Sequence, residues 1–195
     1  MARIVITRAD ETVKTLAEAD IVAVLSIEHP GVKPGDKGSA PRIGEHGFSH
    51  VPQKILAFWD SEQAVNNGPN IAQVEEGLDF VMAHLESGTV LIHCHAGKSR
   101  SVAIALGALA LSHPDKDETE LLALLLEIRP VAAPNILIVE MVDKIAGRDG
   151  KLLQAVLDHP KITEQRAAAE KNRQEMLERR PELLKEFYPE KFFKP

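Results

Sequence analysis

The sequence predicts an α/β protein built on a central, mostly parallel twisted sheet of about four to five strands, with helices on both faces and a helical C-terminal extension. Three observations lead there. Short β-branched runs alternate with longer segments of helical spacing. The runs are apolar almost throughout, as strands covered on both faces are. One of them passes through a tight Gly-containing loop straight into an Ala- and Leu-rich helix.

Ile4 to Ile6 and Ile21 to Leu25 read as the first two strands, with a helix over Asp10 to Ala19 between them. From His29 to Gln53 the chain turns to Pro, Gly, Lys, His and Ser without periodicity, which predicts an unusually long loop. Arg42, His46 and His50 in that loop are expected to shape the entrance to a site. Lys54 to Trp59 predicts a third strand. Asn70 to Glu86 predicts a helix, with Ile71, Val74, Leu78, Val81, Met82 and Leu85 at helical spacing before Ser87-Gly88. Thr89 to His93 is a fourth strand of the buried kind, and Val102 to Ser112 is the helix beyond the loop. Helices at Glu118 to Ile128 and Asn135 to Ile145 follow, with Pro130 and Pro134 punctuating their connection.

A chain of 195 residues supports one catalytic domain, expected over residues 1–148, with 149–195 as a charged helical extension, docked or partly flexible. From Lys161 to Pro195 nine Lys or Arg stand against seven Glu, the composition of a solvated helix. Phe187, Tyr188, Phe192 and Phe193 complicate that reading, because they are four of the chain's eight Phe, Tyr and Trp residues. Such a cluster is expected to dock on a partner or on its own domain.

Apolar residues at 44% and charged residues at 27% are the balance of a soluble globular protein. Val102 to Leu111 and Leu121 to Leu126 are the longest apolar stretches, well short of the roughly 20 residues that span a bilayer. The first residues run into a strand pattern rather than a signal peptide, so a cytoplasmic location is expected. The single cysteine, Cys94, excludes an intramolecular disulfide and suits a reducing compartment. A net charge of -6 argues against non-specific nucleic-acid binding.

The chemistry concentrates in His93-Cys94-His95-Ala96-Gly97-Lys98-Ser99-Arg100-Ser101. A loop between the C-terminal end of a parallel strand and a helix N-terminus aims backbone N–H groups and the positive end of the helix dipole at one small volume, which binds anions. Gly97 gives the freedom for a tight curl, and the planar fork of Arg100 can hold two phosphate oxygens at once. Helix N-termini and neighbouring cations favour thiolate over thiol, so Cys94 at the head of the loop is the expected nucleophile. Phosphoryl transfer spreads charge over three equatorial oxygens, and a cradle of N–H donors plus a guanidinium stabilises it without a metal or other cofactor. A metal site built from His93, Cys94 and His95 fails on geometry, since successive strand residues face opposite ways.

His-Cys-x5-Arg-Ser with Ala-Gly inside the loop resembles the signature of the protein tyrosine phosphatase superfamily, and in particular its compact dual-specificity branch. That resemblance implies a cysteinyl-phosphate intermediate on Cys94, phosphate binding by the loop His95, Ala96, Gly97, Lys98, Ser99 and Arg100, and a hydrogen bond from Ser101 to the sulfur as it leaves. His93 would orient the loop. Arg129-Pro130 to Pro134-Asn135 is similar to the stretch after the signature helix in that branch, where the Asn supports the loop.

The leaving oxygen needs a proton from another loop. Asp60, at the end of the third strand and 34 positions before Cys94, is the best candidate and is placed like the acid of dual-specificity enzymes. Trp59 beside it could cover the site, although the Trp-Pro-Asp order of tyrosine-specific enzymes is absent. The competing role is helix capping, because Asp60-Ser-Glu-Gln has the form of a capping box. Asp79 lies inside a helix and Asp20 before the wrong strand end.

The expected substrates are phosphotyrosine, with phosphoserine or phosphothreonine, in proteins, or a small phosphate ester. His95 and Lys98 also permit a phosphoinositide or inositol phosphate, since phosphoinositide phosphatases of the same superfamily carry basic residues there. A rhodanese-type sulfurtransferase is the competing enzyme, and a phosphate-binding pseudophosphatase the non-enzymatic reading. Oxidised Cys94 would have no second cysteine to pair with and would be held as a sulfenic acid or sulfenamide, or capped by a small thiol.

Overall fold

Four strands, β1 (Ile4–Arg8), β2 (Ile21–Glu28), β3 (Gln53–Ala57) and β4 (Thr89–Cys94), all run parallel in the order β1-β4-β2-β3, in a computed structural model that describes residues 3–179. The central pair, β4 and β2, is buried along almost its whole length, which accounts for the continuous apolar runs. Edge strand β3 is half-exposed. The register pairs Arg8 with Cys94, Ser26 with His93 and Glu28 with Ala57, so all four C-terminal strand ends gather at one edge. That is the edge where open α/β sheets bind ligands.

The two faces are covered unequally. On one lie α2 (Ile71–Leu85), α3 (Arg100–Ser112), α4 (Glu118–Ile128), α5 (Ile136–Ile145) and α6 (Lys151–Asp158), which enclose the main core. Helix α3 is its hub. Every residue from Arg100 to Ala110 is buried, and a side chain at Gly107 would run into Val142 and Leu78.

The opposite face carries the short α1 (Thr12–Glu18), whose Leu16 joins Ile43 and Val51 over Ile21, Val24 and Leu91. The long 29–53 segment therefore does structural work. Its 3-10 turn at Ile43–His46 is the second half of a cover that a seven-residue helix cannot complete.

Three helix starts, those of α2, α4 and α5, follow the capping rules. Asn70 accepts from the Gln73 N–H, Asn135 from Ile138, and Asp117 with Glu120 closes a full capping box. Helix α6 differs, since Gly150 at its cap has no side chain to offer. Buried Asp143 of α5 takes that role, accepting from the N–H groups of Gly150 at 2.6 Å, Leu152 at 2.8 Å and Leu153 at 3.1 Å. Leu152 and Val156 then enter the main core, as does Ile162 of α7 (Pro160–Arg179). The aromatic cluster at 187–193 lies outside the described residues. Among those described, no helix is long and apolar enough to cross a membrane.

Removing the Asp143 acceptor strands three N–H groups at a helix start. Asp143→Ala should lower stability by roughly 2–3 kcal/mol in denaturant unfolding, with Asp143→Asn, which keeps one acceptor, losing less. Equal stability of Asp143→Ala and wild type would refute the capping role.

Candidate active site

Strand β4 delivers Cys94 to the sheet edge, and the chain then curls through His95 to Ser99 into α3. The curl depends on Gly97, whose φ of +62° is in the left-handed region and whose missing Cβ leaves room for the Thr7 carbonyl of β1. Loop carbonyls are bonded into the surrounding frame. His95 O accepts from the Ala9 N–H at 3.3 Å, Gly97 O from Arg129 Nε at 2.8 Å, Lys98 O from the Ala133 N–H at 2.8 Å and Ser99 O from the Ala103 N–H at 3.0 Å. The stretch from Arg129 to Ala133 thus braces the loop from outside.

Cys94 is 2% exposed, and the Ser101 hydroxyl donates to its Sγ at 3.2 Å. Arg100 is equally buried, and its Nη1 donates to the carbonyls of Phe58 at 2.8 Å and Glu28 at 3.2 Å. Its Nε has no partner among the described residues. The Glu28 carboxylate does not reach Arg100, because it is held by Arg42 at 2.8 and 3.2 Å and by the Ala40 N–H at 2.9 Å.

Asp60 follows the end of β3 and lies 39 residues before Ser99, yet the two meet. Ser99 Oγ and Asn135 Nδ2 both donate to Asp60 Oδ1, each at 2.8 Å. The capping role considered for Asp60 is not realised, since α2 begins eleven residues later at Ile71 under Asn70. Ser61 instead closes a local turn onto Gln63. Asn135 braces the segment that bears Asp60, also donating to Ser61 O at 3.1 Å, rather than the 94–100 loop.

His93 is fully buried beneath the loop. Its Nε2 is 2.8 Å from Ser26 Oγ, which accepts from Gln53 Nε2 at 2.8 Å, and Gln53 in turn donates to Pro41 O and accepts from the Ile43 N–H. His29 lies between Trp59 and His95, at ring-centroid separations of 5.3 and 5.7 Å. Burial, reinforced by Arg100, holds the His29 imidazole down to about 3, and burial holds His93 down to about 4.

A cavity of about 670 Å³ opens over Cys94, with Asp60, Lys98, Arg100 and His29 in its lining. Of the 29–53 segment only His29 contributes. Arg42 is spent on Glu28, and His50 lies against Phe48. The segment expected to shape the entrance covers the sheet instead. The outer wall is α7, through Arg166, Asn172 and Met176 among others. Nothing in its local sequence marks that role, nor the bond from Arg129 to the loop.

No family model matches the chain. A stretch of 61 residues is 43% identical to dual specificity protein phosphatase 19 of Mus musculus, covering 31% of this chain and 27% of that protein, so the match spans about a quarter of the relative's length. The structure of human DUSP28 superposes with a TM-score of 0.55 at 19% identity, over 76% of this chain and 94% of that one. PTPMT1 in complex with PI(5)P gives a TM-score of 0.56 at 16% identity, over 74% and 88% of the two chains. The fold is that of dual-specificity phosphatase structures, and a 61-residue stretch is similar in sequence to one such enzyme.

Two outcomes follow from the buried groups. Gly97→Ala should abolish anion binding, because the added methyl forces the loop away from β1; unchanged affinity for an oxyanion such as tungstate would refute this. His93 stays neutral when folded, whereas in the unfolded chain it protonates near 6.5. The unfolded state then binds the extra proton, so stability should fall as pH drops from about 6.5 towards 4, by roughly 3 kcal/mol for a folded value of about 4. Denaturant midpoints across that range, flatter in His93→Gln, would show it.

Proposed function

We propose that this chain, which carries the fold and signature loop of the dual-specificity branch of the protein tyrosine phosphatase superfamily, is a cysteine-dependent phosphatase acting on phosphate monoesters. The observation that carries the reading is the convergence of Cys94, Arg100 and Asp60 on one cavity from three separate elements. Cys94 Sγ attacks phosphorus, the S–P bond forms as the ester P–O bond breaks, and Asp60 gives its proton to the departing oxygen. Both bonds that Asp60 receives end on Oδ1, so Oδ2 is the oxygen that would carry this proton. Water then attacks phosphorus, returns a proton to Asp60 and releases phosphate. The Ser101 hydroxyl stabilises the departing thiolate, a role its 3.2 Å bond to Sγ supports.

Arg100 holds the phosphoryl group. Its unpartnered Nε supports this, since a buried guanidinium donor without an acceptor is costly unless a ligand supplies one. The loop carbonyls are taken up by the frame, which leaves the amide side of the loop for the equatorial oxygens. Substrates would be phosphotyrosine and phosphoserine or phosphothreonine in proteins. Lys98 in the cavity lining favours a second reading, a phosphoinositide or inositol phosphate ester. An acid held over the cysteine weighs against sulfur transfer, which needs none.

Aryl phosphate hydrolysis should be lost in Cys94→Ser, with no transfer of sulfur from thiosulfate to cyanide by wild type. Sulfur transfer without phosphate release would overturn the proposal. Asp60→Asn should slow esters with poor leaving groups about 10²-fold or more while sparing activated ones. Phosphotyrosyl peptide and inositol lipid, compared by kcat/KM, separate the two substrate readings.

A further inference from the structure

Helix α7 does more than wall the cavity. Arg166, on its second turn, grips Glu62 with both nitrogens, Nη1 to Oε1 at 2.7 Å and Nη2 to Oε2 at 3.0 Å, and Nη1 also donates to Pro134 O at 2.7 Å. Glu62 Oε1 accepts in addition from the Ile136 N–H at 3.2 Å. Glu62 is two residues from Asp60, in a segment that belongs to no helix or strand. Residues 60–62 are thus clamped twice, by Asn135 on Asp60 and Ser61, and by Arg166 on Glu62. A planar guanidinium on a carboxylate fixes direction as well as distance.

We infer that Arg166 is a positioning residue for the general acid, so that the C-terminal helix takes part in the chemistry without touching the reacting atoms. The inference rests on the role proposed for Asp60. A half-exposed ion pair adds little to stability, and its effect belongs in the geometry of proton delivery, where small displacements are costly.

The test compares two esters in the full chain, one with an activated aryl leaving group and one with a poor alkyl leaving group. Arg166→Ala should leave the first within about twofold and slow the second about tenfold, at an unchanged melting temperature. Glu62→Ala should give the same split from the loop side, which keeps the test valid if the α7 variant folds poorly. In an Asp60→Asn background, Arg166→Ala should add nothing further, as expected for two residues acting on one step. Equal loss on both esters, no loss, or a loss that persists beside Asp60→Asn would overturn the positioning role. Should Asp60→Asn itself fail to distinguish the esters, the acid assignment falls and takes this inference with it. If Asp60→Asn distinguishes them and Arg166→Ala does not, the positioning role alone falls.

Discussion

A guanidinium almost wholly withdrawn from water constrains everything around it. Arg100 is the largest fully buried side chain among the described residues, and its charge is tolerated because Nη1 meets the carbonyls at which the chain leaves β2 and β3. Those carbonyls point at α3 because β2 and β3 end in register, Glu28 beside Ala57. Buried charge without compensation costs several kcal/mol, so the strand ends, the loop and the start of α3 must keep one arrangement. The donor at Nε has no acceptor among the described residues, and the proposed function is what would give it one.

Much of this was legible because it is written in short-range patterns. All four strands and the helices at 71–85, 100–112, 118–128 and 136–145 announce themselves by periodicity and by punctuation such as Ser87-Gly88, Pro130 and Pro134. The nine residues from His93 to Ser101 stand in one local stretch, and Asp60, singled out by its place after a strand, lines the same cavity. Boundaries moved by up to three residues, as where β2 runs on to Glu28 rather than Leu25 and α3 starts at Arg100 rather than Val102.

What was not legible depends on contacts between distant segments. The 29–53 stretch lacks periodicity, yet Ile43 and Val51 close one face of the sheet, a role that only the brevity of α1 explains. Asn135 was expected to support the 94–100 loop, but its amide turns to Asp60 and Ser61 because its own Oδ1 is committed to capping α5. Arg166 and Glu62 are 104 residues apart, and Arg166 lies in a segment whose mixed charges read as solvated surface. Interspersed opposite charges say nothing about which one finds a distant partner.

The cavity over Cys94 therefore has a floor and a wall of different standing. Its floor is continuous with the core through α3, where even a methyl group at residue 107 has no room, so it tolerates little change. The wall is a helix tied at its near end by Ile162 and at the site by polar contacts from Gln165 and Arg166. On the proposed function, sequence drift in 160–179 outside Arg166 would change which esters enter while residues 94–101 stay as they are. In evolutionary terms, that part of the wall is where a lineage would acquire new substrates without inventing new chemistry.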